Sequence, residues 1–173
     1  MARALVKALR TVASDHAVSD VDFEKQINEL IIGKSHRASV VVAASIVEVA
    51  LEEAMGKRLR RLSGEDSDRI FSGFGPLSSF SAKILMAYAL GVINRRTRAN
   101  LEHIKELRNA FAHASKPLSF RTLEVKAVAQ LLLLPELTKR ATPRMMFIFA
   151  CLQAVEELSA YSPKLRDVPT EGL

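Results

Sequence analysis

ASVVVAASIVEVALEEAM, residues 38–55, decides the fold class. Its valines and isoleucine, taken one at a time, favour a strand, because β-branched side chains suit a pleated surface. Their order argues for a helix. No apolar/polar alternation runs through the stretch. Advancing about 100° per residue gathers Val40, Val41, Ala44, Leu51, Met55 and the later Leu59 into one quadrant. That stripe predicts a long helix over about residues 35–62. Glu48 falls inside the same quadrant, and a carboxylate in an apolar stripe is costly unless paired.

Outward from this helix, the chain keeps a helical period. Residues 2–13 place Leu5, Leu9, Val12 and Ala13 on one face, and Asp20 caps a short helix that ends at Gly33. Ser63 and Gly64 stop the long helix, and EDSDRIFSGFGPLSSF forms an irregular connection with one helical turn. Ser79 or Ser81 opens the next helix and Gly91 closes it; Asn94 or Thr97 starts another that runs to about Ala114. Thr122 and Glu124 open a helix through QLLLL, and Thr142-Pro143, a capping hydroxyl before a proline, begins the last. The expectation is an all-α, compact, single-domain bundle of about seven helices without a sheet. Residues 1–19 form an N-terminal helix or arm, 20–161 the domain, and 162–173 a flexible C-terminal tail.

Composition agrees. The chain has 173 residues, 49% apolar, with seven glycines, six prolines and no tryptophan, a profile that suits helices better than turn-rich sheets. Its one cysteine, Cys151, lies in the apolar run FIFACL, which argues for a reducing compartment and against a disulfide scaffold. The opening MARALVKALRTVAS lacks the apolar core of a secretory signal. Glu48 interrupts the longest apolar run before it reaches the roughly 18 residues of a membrane span. A cytoplasmic protein with no membrane partner is expected. Four scattered histidines, without His/Glu pairs at ligand spacing, call for no metal, and no motif calls for a cofactor.

The net charge of +6 permits an anionic partner. KRLRR at 57–61 suits a helix C-terminus, whose negative end it offsets. RRTR at 95–98 starts a helix, where positive charge is unfavourable, so it is the better candidate for touching an anion.

Two stretches carry candidate chemistry. In RNAFAH, residues 108–113, Arg108 shares a helix face with Leu101, Ile104 and Phe111, while Asn109 and His113 group with Glu102 and Glu106. One reading is structural: Glu48 and Arg108 form a buried polar pair, and Asn109 and His113 bond a loop or carbonyl. The other is catalytic. RNA cleavage through the 2′-hydroxyl needs a proton carrier near neutral pKa, His113, and a cation to steady the phosphorane, Arg108. One imidazole does not easily serve as both acid and base, but a two-fold dimer supplies two. In GFGPLSSFSAKI, residues 73–84, a tight loop precedes a helix start. Its free N–H groups, with Ser79, Ser81 and Lys83, form a candidate site for a phosphate or carboxylate.

FSGFGPLSSFSAKILMAYALGVI, LRNAFAH, the upstream HRASVVVAASIVEVALEEA and KPLSF at 116–120 together resemble the mannitol operon repressor family, over about residues 20–160. The resemblance implies an all-helical bacterial cytoplasmic protein linked to transcriptional repression. No helix-turn-helix with a basic recognition helix is legible, so repression through a regulatory protein partner or a small anionic ligand is favoured over direct DNA reading. RNAFAH also resembles the Arg-x4-His signature of HEPN domains, which include metal-independent ribonucleases. That likeness implies catalytic roles for Arg108, Asn109 and His113 on an RNA substrate, with Glu48 as a candidate polar partner; a homodimer is the form expected to supply the second imidazole.

Overall fold

A computed structural model describes residue 29 and residues 33–135 and 141–163. The expected N-terminal arm and the helix capped by Asp20 lie outside the described residues, as does the tail beyond residue 163. Six helices lie wholly among the described residues, in order: α1 His36–Gly56, α2 Gly64–Phe71, α3 Phe80–Ala89, α4 Arg95–His113, α5 Leu123–Gln130 and α6 Pro143–Ser159. No strand occurs among the described residues.

Side chains set most of the helix starts. Ser35, Ser63, Ser79, Asn94 and Thr142 each accept a backbone N–H from three residues on, satisfying a donor with no partner inside the helix. Pro143 then occupies the first turn of α6. Thr122 precedes α5 without such a bond, because its hydroxyl accepts the Ser119 N–H instead.

Four contacts fix the topology. Arg144 at the start of α6 donates to Ser39 Oγ at the start of α1 (2.6 Å), and Lys57 at the end of α1 donates to Ser159 O (3.1 Å) at the end of α6. The two helices therefore run parallel. Thr97 at the start of α4 donates to Glu157 Oε2 near the end of α6 (2.6 Å), and Arg37 at the start of α1 donates to Ala114 O just past the end of α4. α4 therefore runs antiparallel to both. α3 packs against α1 and α4, and α5 against α4 and α6.

The core lies where α1, α4 and α6 meet. Val40, Val47, Leu51, Met55, Leu101, Ile104, Phe111 and Phe147 are all fully buried. Phe120, from the α4–α5 connection, stacks between Phe111 and Phe147 with centroid separations of 5.5 and 5.9 Å. Cys151 is buried on α6, where desolvation pushes its thiol far above the ordinary range, so it is an unreactive core residue.

Three boundaries differ from expectation. The long helix ends at Gly56, leaving most of KRLRR in the connection beyond it. α2 makes two turns where one was expected. α5 stops at Gln130, short of the leucine run, because the buried Asn100 captures that run. Its side chain accepts from Leu133 N (2.7 Å) and donates to Leu133 O (3.3 Å), while Arg96 donates to the same carbonyl through Nε and Nη2. Paired with an amide side chain, Leu133 has no need of helical partners.

Candidate functional site

The structure separates the residues that the sequence grouped into sites. The expected Glu48–Arg108 pair does not form. Glu48 is bridged by Lys83 of α3 at 3.0 Å, and Lys83 also meets Glu52 at 2.8 Å. Arg108 donates to its neighbour Asn109 Oδ1 at 3.0 Å. Register explains the outcome. With Arg37 level with Ala114 across the antiparallel pair, Glu48 lies level with about residue 103, roughly 7 Å along the axis from Arg108. The buried stripe of α1 is also centred near Val40, Val47 and Leu51. Glu48 lies at its edge, turned toward α3.

The same geometry removes Lys83 from the proposed anion site. Phe80, Lys83, Ile84 and Ala87 form the buried face of α3, and Lys83 is only 5% exposed. Burial alone would lower its pKa, but the hydrogen bonds it donates to Glu52 and Glu48 outweigh that and raise it. Its charge is already matched by two carboxylates. Ser79 accepts from Ala82 N as an ordinary cap, and Ser81 faces solvent. The three do not converge on one site.

RRTR likewise has internal roles. Arg96 holds Leu133, and the Arg98 guanidinium lies 4.6 Å from the Tyr88 ring centroid, a cation–π contact. Arg95 is exposed.

RNAFAH closes α4. His113 is exposed on the last turn, Asn109 and Arg108 are half-buried, and Phe111 is in the core. Glu102 and Glu106, expected beside His113, are both held by Lys105 at 2.6 and 3.1 Å. The hydrogen bond to Glu102 is the largest influence on Lys105, and with the Glu106 contact it raises the pKa against the opposing effect of burial.

What His113 does join is a basic corner. The end of α4 meets the start of α1, where Arg37 clasps Ala114 O, one residue past His113. His36 packs edge-on against Phe120 at 5.6 Å. Its Nδ1 is buried without a protein partner, and burial, then Arg144 and Arg121, lowers its pKa. Lys34, Arg37, His113, Lys116 and Arg121 are all exposed, and neither KSHR (34–37) nor HASKPLSFR (113–121) contains an acid. This corner gathers exposed cationic side chains from two segments of the chain. Sequence reading missed it because its two halves lie far apart in the chain, 77 residues between Arg37 and Ala114. The available signal was the run HR at 36–37, next to a serine cap.

Among the described residues, no group of three or more His, Cys, Asp or Glu side chains is placed to hold a metal ion. No described helix is long and apolar enough to cross a membrane.

No protein-family model matches the chain, and no curated protein does. Solved structures do. A chain of the MtlR-HPr complex from Escherichia coli is 19% identical, with a TM-score of 0.62 over 79% of this chain and 97% of that one. A possible transcriptional regulator, YggD from Shigella flexneri 2a, is 13% identical, with a TM-score of 0.52 over 83% of this chain and 98% of that one. Neither likeness supports the HEPN reading of RNAFAH. At such identities the likeness concerns the fold: this chain has the helical architecture of these two solved structures.

Proposed function

We propose that this protein is a bacterial, mannitol operon repressor-like regulator that acts by binding a protein partner rather than by reading DNA. The basic corner carries the reading. It is exposed, free of acids along both contributing segments, and held in shape by Arg37 on Ala114 O and by His36 on Phe120. Such a surface suits a partner that presents carboxylates or a phosphate, since complementary charge speeds encounter and fixes register. The similarity to a chain of the MtlR-HPr complex favours a protein as that partner. Direct DNA reading is disfavoured because Arg96 and Arg98 of RRTR are engaged within the fold.

Isothermal titration of the full chain with purified HPr, and separately with duplex DNA from its own operon, tests the reading. Saturable binding of HPr, weakened about tenfold by Lys116→Glu at the exposed corner, is expected. Tight, sequence-dependent DNA binding with no response to HPr would overturn it.

A further inference from the structure

α3 is built the wrong way round for an outer helix. A surface helix normally turns charge toward water and apolar residues inward. In FSAKILMAYA the only charged residue, Lys83, is buried, and the outward stripe of Ser81, Leu85, Tyr88 and Ala89 carries no charge at all. Leu85 is 58% exposed, and Met86 and Tyr88 are each 38% exposed. The loop leading into α3 adds Phe74, fully solvent-exposed at 110%.

That exposure is held by a tight turn. Gly73 adopts φ +60°, and a Cβ on Gly75 would sit 2.3 Å from Arg69 O. Gly75 N donates to Ser72 O and Leu77 N to Ile70 O, both at 2.9 Å. An aromatic side chain on so constrained a turn loses little freedom when it docks.

We infer that the outer face of α3, with Phe74, is the interface through which two copies of this chain pair, α3 against α3 in antiparallel fashion. Charge singles out a second copy. An uncharged stripe meets its own image without like-charge repulsion. The two ends of the stripe are opposite in sign: α2, with Glu65, Asp66 and Asp68 against Arg69, adjoins the Phe74 end, and Arg95 and Arg98 adjoin the Tyr88 end. An antiparallel two-fold sets the acids of one copy opposite the arginines of the other. The four exposed apolar side chains offer on the order of 400–500 Å², short of the ~800 Å² per partner of a standard interface. An interface of this size suits a weak dimer in exchange with monomer. This surface is separate from the basic corner and does not depend on the function proposed for it.

Sedimentation velocity on the full chain, from sub-micromolar to high micromolar concentration, tests the inference. Mass should rise from monomer toward dimer. Leu85→Glu should abolish the rise while leaving the thermal melt unchanged, because Leu85 is not a core residue. Arg95→Glu should weaken the dimer, and adding Asp68→Lys to the same chain should restore it. A monomer at every concentration, or a dimer indifferent to both Leu85→Glu and Phe74→Ser, would overturn the inference.

Discussion

Replacing Lys83 with methionine should be among the more destabilising single changes in this protein. The ammonium is 7% exposed at the side chain and meets Glu48 at 3.0 Å and Glu52 at 2.8 Å. Methionine fills the same channel, so little packing is lost; what remains is two carboxylates without their cation. Glu52, 38% exposed, rehydrates at small cost, whereas Glu48 is 19% exposed and stays largely out of water. Breaking a buried pair by removing one partner costs about 3–5 kcal/mol. With one acid relieved by solvent, about 2–4 kcal/mol is expected here, or a drop in Tm of roughly 5–15 °C for a chain of this size. The cost lies in the stranded carboxylate, so Lys83→Met with Glu48→Gln should recover more than half of it. Urea unfolding of the two single variants and the double, followed by circular dichroism, gives the coupling. Additive losses would refute the reasoning, as would a Lys83→Met protein as stable as wild type. The same cycle run on Glu48 and Arg108 should show no coupling, since those two residues do not meet.

Asn100→Leu should cost about 2–3 kcal/mol in urea unfolding, because it leaves Leu133 N–H without its partner and removes one of the donors to Leu133 O. The pKa of His36 is lowered from its ordinary 6.5 by burial and by Arg144 and Arg121, so the unfolded chain takes up its proton first as pH falls. The His36 contribution is therefore complete above pH 6.5 and is lost as pH falls from there toward the folded-state pKa. Melts recorded between neutral pH and pH 5 should accordingly decline more steeply for wild type than for His36→Gln; parallel curves would count against this. His113→Ala, at an exposed position, should leave Tm within about 1 °C of wild type. Neither protein should cleave single-stranded RNA in excess chelator. Cleavage by wild type that is lost in a folded His113→Ala protein would revive the nuclease reading.

Local rules made the fold legible. Ser35, Ser79, Asn94 and Thr142 each announce a helix through a short side chain that bonds the backbone within one turn, so neighbouring residues suffice to find it. The helical stripe in VVVAASIVEVAL likewise overrides β-propensity, because burial follows period more than residue type. The sites were less legible because they depend on register between helices. Glu48 is legible as an acid in need of a partner, but whether Arg108 or Lys83 supplies it depends on axial offset, which one helix does not encode. Lys83 sits on the core face of α3 by its spacing to Phe80, Ile84 and Ala87, a pattern hidden by the loop chemistry just ahead of it. The basic corner joins KSHR to HASKPLSFR across the bundle, and neither piece shows a ligand pattern alone.

The central claim is that this corner is where a protein partner binds. Backbone amide hydrogen exchange of the full chain, with and without saturating HPr, tests it most directly. Added protection concentrated in residues 34–37 and 113–121, and lost with Lys116→Glu, is the predicted result. Unchanged exchange in both segments, with protection elsewhere or none at all, would contradict it.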